Sequence, residues 1–204
     1  MNKLKLYSSL RSPFGRRIRV RLEELELPYD IEMVNVFEPT EELLRLNPLG
    51  RIPILVLPTE EEIIDSHQIE EYLRARNRSH SLYSNPEGIR DARARSWSAL
   101  AVGVMEATVS SFLETLRPAA LQIPEVKAEF LQAIQKTLKR FESEITSPLL
   151  AGSELRAWDI DLGCALAYCD LRMGRQVVDR YPRLRIYLER LESRASFQKT
   201  APPL

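Results

Sequence analysis

The stretch LKLYSSLRSPFGRRIRVRLEELELPYDIEMV, residues 4–34, predicts a strand, a helix and a second strand in direct succession. Alternating apolar side chains favour a first strand from Lys3 to Ser8. Ser12-Pro13 is typical of a helix start, because a hydroxyl can cap the first turn and proline fits the first helical position. The helix is expected to run to about Leu27, and its apolar residues recur at steps of four and three: Phe14, Ile18, Leu22 and Leu25.

The elements that follow complete a small α/β layer. The second strand is predicted over Tyr29 to Val36 and a short helix over Thr40 to Leu46. Two further strands, Ile54 to Leu57 and Glu62 to Asp65, are expected to form a hairpin, and a helix from Ser66 to Arg76 closes the series. A strand–helix–strand unit gives a parallel pair, and a hairpin adds antiparallel partners. Residues 1–76 therefore predict an α/β thioredoxin-like domain.

Everything after the polar segment 77–88, a predicted linker, has the pattern of helices. Residues 89–204 are predicted to form an all-helical domain. Its helices are expected over residues 89–116, 124–146, 158–173 and 181–193. The helix that begins near Trp158 has almost no polar face, which is typical of the buried centre of a helical domain.

Composition excludes several classes of partner. Twenty-nine Lys and Arg residues balance 29 Asp and Glu residues in 204 residues, so no net field attracts nucleic acid or an anionic membrane. The first residues lack the apolar core of a signal peptide, and no stretch is expected to approach the roughly 20 apolar residues that span a bilayer. We expect a cytoplasmic protein without nucleic-acid or membrane partners.

Metal and redox chemistry are not predicted either. Cys164 and Cys169 lie five residues apart, which fits neither a zinc site nor a redox pair, so buried free thiols are expected. His67 and His80 have no companion ligands at metal spacing. No metal is therefore expected.

Ser12 is the first of three candidate site segments. A helix N-terminus presents unpaired N–H groups and partial positive charge, which would favour a thiolate. The Ser12 hydroxyl could accept a capping bond and still donate its proton to that sulfur. The alternative is that Ser12 is only a helix cap.

The other two segments could hold an extended peptide. Ile52 precedes Pro53 and is therefore biased towards extended backbone, whose N–H and C=O could pair with a ligand; an ordinary trans proline entering a strand is the alternative. Asp65-Ser66 stands where a strand turns into a helix and could bind a carboxylate and an ammonium. The alternative there is a capping box of Asp65 with Gln68.

Two clusters have simpler readings. The arginines of the first helix resemble a basic patch, but pairing with Glu23 and Glu24 favours a solvated helix face: Arg16, Arg17, Arg19 and Arg21. Another set at helical spacing is more typical of a core than of a substrate pocket: Trp97, Leu100, Ala101, Val104 and Met105.

The series of motifs resembles the glutathione transferase superfamily over essentially the whole chain. The motifs that carry this resemblance are Leu6-Tyr7-Ser8, Arg11-Ser12-Pro13-Phe14, Asn47-Pro48-Leu49-Gly50-Arg51-Ile52-Pro53-Ile54-Leu55, Ile64-Asp65-Ser66 and Ile69-Glu70-Glu71-Tyr72-Leu73. The ending Ser196-Phe197 to Thr200-Ala201-Pro202-Pro203 is similar to a bacterial branch, the YibF-like proteins.

The resemblance implies glutathione as co-substrate and a cis Pro53. It implies that Ile52 pairs with the cysteinyl backbone, that Asp65 and Ser66 hold the γ-glutamyl end, and that Ser12 is the catalytic residue of a serine-type site. Many relatives carry cysteine at the Ser12 position, so thiol–disulfide chemistry is not expected here. The implied glutathione site comprises Ser12, Phe14, Arg51, Ile52, Pro53, Asp65 and Ser66.

Further expectations follow from the same resemblance. The reaction is conjugation or substitution on a small hydrophobic electrophile, as in detoxification, by a homodimer. From adjacency to the implied site, the electrophile is expected to lie against Phe14 and the inward face of the helix around Val102, Met105 and Val109. Asp159 matches a helix-capping aspartate, but Arg156 replaces the usual Ser or Thr, so Asp159 is expected to cap the helix itself. The alternatives are a non-enzymatic regulatory or assembly protein and an isomerase like the zeta class.

Overall fold

The structure is a computed structural model that describes residues 3–83 and 89–203. The chain divides into two compact units, Met1–Ser84 together with Ala195–Leu204, and Asn85–Arg194. The last ten residues therefore belong to the first unit, and the prediction that they are part of the helical domain is wrong. Of the expected linker, residues 81–83 form a short 3-10 helix and residues 84–88 lie outside the described residues.

The first unit contains a four-stranded sheet in the order β2-β1-β3-β4. The strands are β1 (Leu4–Ser8), β2 (Tyr29–Met33), β3 (Ile54–Val56) and β4 (Glu62–Ile64). β1 and β2 are parallel, whereas β1–β3 and β3–β4 are antiparallel. The helices are α1 (Pro13–Glu24), α2 (Glu41–Leu46) and α3 (Ser66–Arg76). The predicted thioredoxin-like architecture is confirmed.

Helix α1 ends at Glu24 rather than at Leu27. The Leu25 N–H still bonds to the Arg21 carbonyl, but Glu26 adopts a φ of 54°, in the left-handed region that ends a helix. The prediction ran too far because apolar residues continue to Leu27. The positive φ of Glu26 ends the helix before that residue.

All four arginines of α1 are buried, so the predicted solvated face is wrong. Arg17 and Arg21 are 1% and 0% exposed. Both bind the carboxylate of Glu70 on α3: Arg17 Nη2 lies 2.5 Å from one oxygen and Arg21 Nη2 lies 3.1 Å from the other. Arg19 donates to the Leu10 carbonyl over 3.0 Å. Spacing along the helix suggested Glu23 and Glu24 as partners of these arginines. Their actual acceptors include Glu70 and the Leu10 carbonyl, and these allow the guanidinium charges to be buried.

Arg16 explains why the C-terminal segment joins the first unit. Its Nη2 donates to the carbonyl oxygen of Phe197 over 3.2 Å, and its guanidinium lies 5.5 Å from the centre of the Phe197 ring. Phe197 belongs to the short helix α8 (Ala195–Lys199). The Ser196 hydroxyl donates to Glu24, and Lys199 pairs with Glu23. Helix α8 is thus fastened along α1.

The second unit consists of helices packed around α6. Its long helices are α4 (Ile89–Leu116), α5 (Pro124–Glu144), α6 (Ala157–Met173) and α7 (Pro182–Glu192). Helix α6 packs against α4 and α7, and every residue from Ala157 to Cys169 is buried, which confirms the predicted centre. Cys164 and Cys169 are buried free thiols, as expected.

Helix α4 contains one stretch, Ala92–Leu116, that is long and apolar enough to cross a bilayer by length and composition. The expectation that no stretch approaches this length and apolar composition is therefore wrong. The same helix packs on α5 and α6 and buries Ala101, Val104 and Met105, as expected of a core helix. The expectation that the protein has no membrane partner stays a prediction.

Asp159 is the buried polar centre of the helical unit. Its carboxylate accepts the Arg156 N–H at 2.9 Å and the Leu150 N–H at 3.0 Å, and the Tyr187 hydroxyl donates to it over 2.7 Å. Asp159 therefore caps α6 as expected, without a hydroxyl at position 156. Burial raises the pKa of Asp159 to about 6, and the three hydrogen bonds oppose this rise.

This network makes the stability of the helical unit depend on pH. A carboxyl whose folded-state pKa is raised contributes stability below its unfolded pKa, and that contribution is lost as the pH rises through about 6. We expect Tyr187→Phe to remove a donor to the ionised form and to lower the free energy of unfolding by about 1–3 kcal/mol at pH 7 and by less at pH 5. Chemical unfolding at both pH values measures this difference.

Tyr181→Phe is the matched control, because the Tyr181 hydroxyl donates to a neutral carbonyl, that of Gln135. Its effect on unfolding should be the same at pH 5 and pH 7. An equally pH-independent loss in Tyr187→Phe would contradict the role assigned to the Asp159 carboxylate.

Candidate functional site

Ser12 lies at the N-terminal end of α1 and is half-buried. Its backbone is extended, and its Oγ accepts the N–H of Gly15 at 3.1 Å. That bond uses a lone pair of the hydroxyl oxygen, so the Ser12 proton remains able to donate to another group. The helix-cap reading of Ser12 is confirmed, and it is compatible with donation to a ligand.

The first turn of α1 lies very close to the end of β1. A Cβ added at Gly15 would lie 2.0 Å from the Oγ of Ser8 and 3.3 Å from its Cβ. Ser8 itself is fully buried. The absence of a side chain at Gly15 therefore sets how closely the turn that carries Ser12 approaches the sheet.

The loop before β3 is held by the side chain of Asn47, which the sequence analysis missed. Asn47 is 4% exposed; its Nδ2 donates to the Arg51 carbonyl over 2.9 Å, and its Oδ1 accepts the Leu49 N–H at 3.1 Å. Gly50 in this loop has a φ of 62°, which favours glycine. The sequence did contain a signal for this role: Asn47 directly precedes Pro48 at the end of α2, and a side-chain amide can donate and accept hydrogen bonds at once.

The peptide bond between Ile52 and Pro53 is cis, as the resemblance implied. Within residues 3–83 and 89–203, no hydrogen bond involves the backbone N–H or C=O of Ile52. Ile52 directly precedes Pro53 and strand β3. Its two backbone groups can therefore pair with an added extended segment. Arg51 is exposed and Phe14 is half-buried.

Asp65 and Ser66 stand where β4 gives way to α3. Asp65 has a φ of 73° and caps the helix by accepting the His67 N–H at 2.8 Å. A cap by Asp65 is therefore confirmed, whereas the capping box with Gln68 stays a prediction. Asp65 is exposed, whereas Ser66 is 5% exposed. The Ser66 Oγ accepts a hydrogen bond from Arg17 at 3.0 Å. One carboxylate and one hydroxyl are thereby placed at the start of α3, beside its N–H groups.

Tyr7 offers another hydroxyl in the first unit, but its chemistry differs from that of Ser12. The Tyr7 hydroxyl donates to Glu42 over 2.6 Å. Burial, followed by this carboxylate, raises the pKa of Tyr7 to about 12. Its side chain packs with Leu43 and Ile54 in the core. The Tyr7 proton is therefore already engaged, unlike that of Ser12.

The predicted electrophile-binding residues of the second unit lie on α4. Val102 and Val109 are half-buried, whereas Met105 has no exposed surface and is placed as a core residue. The electrophile pocket stays a prediction. Among residues 3–83 and 89–203, no group of three His, Cys, Asp or Glu side chains could hold a metal ion.

The similarity to known proteins includes the segment that carries these residues. Residues 11–76 match the family described as the glutathione S-transferase N-terminal domain. The chain is 30% identical over 202 residues to the GST-like protein YibF of Escherichia coli (strain K12), an alignment that covers 98% of this chain and 99% of the relative.

Solved structures of glutathione S-transferases are also similar to this chain. A glutathione S-transferase from Methylobacillus flagellatus, solved with glutathione bound, has a TM-score of 0.90 and 32% identity and covers 98% of this chain and 100% of its own. A glutathione S-transferase from Methylobacterium radiotolerans, in complex with glutathione sulfonate, has a TM-score of 0.91 and 25% identity over 100% of this chain and 96% of its own.

Two more distant relatives bear on the alternatives. A zeta-class glutathione S-transferase from Euphorbia esula is 39% identical over 83 residues, 39% of this chain and 36% of the relative. Elongation factor 1-gamma 3 from Oryza sativa is 24% identical over 178 residues, 86% of this chain and 42% of the relative.

The close approach at Gly15 makes a prediction about the first turn of α1. Although alanine is the better helix former, we expect Gly15→Ala to destabilise the protein by about 1–3 kcal/mol, because the added carbon overlaps Ser8 Oγ. In a Ser8→Ala background the penalty should shrink, and thermal unfolding of the four proteins measures this coupling.

Gly103→Ala serves as the matched control on α4, because an added Cβ there meets no atom within 4 Å. It should leave stability unchanged or raise it by up to about 1 kcal/mol. Equal effects of the two alanine substitutions would contradict the packing described for Gly15.

Proposed function

The chain belongs to the glutathione transferase superfamily, and from that premise we propose that it binds glutathione and activates its thiol for reaction with a small hydrophobic electrophile. The observation that carries the proposal is the Ser12 hydroxyl at the start of α1, whose oxygen is engaged by Gly15 while its proton remains available. Relatives of the same fold with glutathione or glutathione sulfonate bound support the ligand.

In the proposed mechanism Ser12 is a hydrogen-bond donor and not a nucleophile. The helix N-terminus and the donated proton stabilise the glutathione thiolate, and the thiol proton leaves to solvent. The sulfur then forms a bond to the electrophilic carbon. In substitution a leaving group departs with its electron pair, and in addition the product takes up a proton.

The remaining site residues are proposed to align the tripeptide. Ile52 pairs its backbone N–H and C=O with the cysteinyl residue, in the manner of strand addition. Asp65 pairs with the γ-glutamyl ammonium, and Ser66 with the N–H groups of α3 holds the carboxylate. Arg51, which is exposed, binds the glycine end or the cysteinyl carbonyl, and Phe14 lies beside the sulfur.

Thiol–disulfide exchange is not proposed, because this chemistry needs a reactive cysteine. Ser12 has no thiol, and both cysteines are buried in α6. Burial raises the pKa of the Cys169 thiol to about 11, so little thiolate forms at neutral pH. Conjugation by the thiolate of bound glutathione requires no protein cysteine.

The role of Ser12 is tested by the pH dependence of conjugation. We expect Ser12→Ala to raise the pKa of the bound thiol by about one unit or more, because a hydrogen bond to the charged form is lost. The pH profile of kcat/KM should shift to higher pH, while glutathione affinity changes only a few fold. Stopped-flow titration of the thiolate absorbance and a model aryl halide give the two readouts.

Ser9→Ala is the matched control, since it removes a hydroxyl from the same loop, and Ser12→Thr should restore most of the activity because it keeps the donor. An unchanged pH–rate profile in Ser12→Ala would remove Ser12 from the mechanism. Turnover of a cis-enedione instead of an aryl halide would favour the zeta-like isomerase, the alternative that the 83-residue similarity supports.

A non-enzymatic role as a regulatory or assembly protein is the other alternative, and the similarity to elongation factor 1-gamma 3 is the observation that keeps it in view. Retention on immobilised glutathione discriminates between the two. We expect the protein to be retained and Asp65→Ala and Ser66→Ala to be released at lower concentrations of free glutathione, because each loses a partner of the γ-glutamyl end. A protein that passes through unretained would favour the assembly role.

The proposal also includes an oligomeric state, a cellular location and a biological role. By resemblance, the protein is a homodimer in the cytoplasm and acts in detoxification. Light scattering of the purified protein determines its mass in solution, and a mass near that of one 23.5 kDa chain would contradict the dimer.

A further inference from the structure

We propose that Arg17 is a positioning residue for glutathione, which fixes the Ser66 hydroxyl as a hydrogen-bond donor towards the γ-glutamyl carboxylate. The inference rests on the proposed glutathione site. It adds to that site a residue of α1 that does not itself contact the ligand and acts through Ser66. The observation behind it is a buried hydrogen bond of 3.0 Å from Arg17 Nη1 to Ser66 Oγ, across 49 positions of sequence.

The direction of this bond decides what the Ser66 hydroxyl can do. A guanidinium has donors only, so the Ser66 oxygen must be the acceptor. The hydroxyl proton of Ser66 is therefore not used by this bond and stays available to another acceptor. Because Ser66 is the first residue of α3, that proton and the N–H groups of the first turn other than that of His67, which Asp65 accepts, form a set of donors at one helix end. A carboxylate is the ligand that complements such a set.

Arg17 is itself held so that it cannot turn away. Its Nη2 lies 2.5 Å from Glu70, which follows Ser66 by four residues and so lies on the same side of α3. Glu70 also binds Arg21, whose Nη1 donates to the Arg17 carbonyl over 3.0 Å. Arg17 is 1% exposed and Glu70 is 8% exposed. The guanidinium is thus fixed between a carboxylate and the Ser66 hydroxyl.

The structure also separates positioning from simple stabilisation. Arg17 and Arg21 both tie α1 to α3 through Glu70, and both are buried. The hydrogen bond to Ser66 comes from Arg17, whereas Arg21 binds Glu70 and the Arg17 carbonyl. A loss of Arg21 therefore weakens the cluster without removing the bond to Ser66, and it is the matched control for a loss of Arg17.

The experiment compares Arg17→Gln, Arg17→Lys and Arg21→Gln by calorimetric titration with glutathione. We expect Arg17→Gln to weaken binding roughly tenfold, the scale of one hydrogen bond to a charged group, and Arg21→Gln to change it less than about twofold. Arg17→Lys should resemble Arg17→Gln, because a single ammonium cannot serve Ser66 and Glu70 together. Comparable losses in Arg17→Gln and Arg21→Gln would overturn the proposal.

A double-mutant cycle tests whether Arg17 acts through Ser66. In a Ser66→Ala background, Arg17→Gln should cause no further loss of affinity. Arg17→Gln should also leave unchanged the binding of a glutathione analogue whose γ-glutamyl carboxylate is an amide, provided that the wild-type binds the analogue measurably. Additive losses in the cycle would overturn the proposal.

A measurement without ligand keeps this inference separate from the proposed function. Side-chain scalar couplings of Ser66 should show one fixed χ1 rotamer in the wild-type and in Arg21→Gln, and averaging among rotamers in Arg17→Gln. A rotamer that stays fixed in Arg17→Gln would overturn the positioning role. Failure of the wild-type to bind glutathione would contradict the proposed function, while the couplings would still decide whether Arg17 positions Ser66.

Discussion

The first unit depends on one buried ionic cluster, in which the Glu70 carboxylate of α3 binds the guanidinium groups of Arg17 and Arg21 of α1. Charges buried this deeply are stable only when each has its partner, and removal of one partner leaves an uncompensated charge. The cluster therefore fixes the two helices as a pair. Because α1 begins beside Ser12 and α3 begins at Ser66, the two helix ends suited to anions are held on one scaffold.

The same principle operates in the helical unit, where Asp159 is the buried acid. It receives two backbone N–H groups and the Tyr187 hydroxyl, and burial raises its pKa to about 6 although these three hydrogen bonds oppose the rise. Glu70 and Asp159 therefore have different structural roles. Glu70 links two helices through charge, whereas Asp159 caps α6 and connects it to α7 through neutral donors.

The proposed role of Ser12 limits the chemistry to that of a hydroxyl. A hydroxyl can stabilise a bound thiolate by a hydrogen bond but cannot form a mixed disulfide, and Cys164 and Cys169 are buried. The Tyr7 proton is engaged by Glu42. Ser12, by contrast, combines a helix N-terminus with a proton that its bond to Gly15 does not use.

The sequence by itself determined the order of strands and helices, the caps at Ser12 and Asp65 and the buried centre α6, because these depend on spacing and on contacts within a few residues. It did not determine that the α1 arginines are buried or that residues 195–204 belong to the first unit. The acceptors of Arg17 and Arg16 lie 53 and 181 positions away, at Glu70 and Phe197. Only the tertiary structure brings such groups together, since whether a charge can be buried depends on partners that no local pattern reveals.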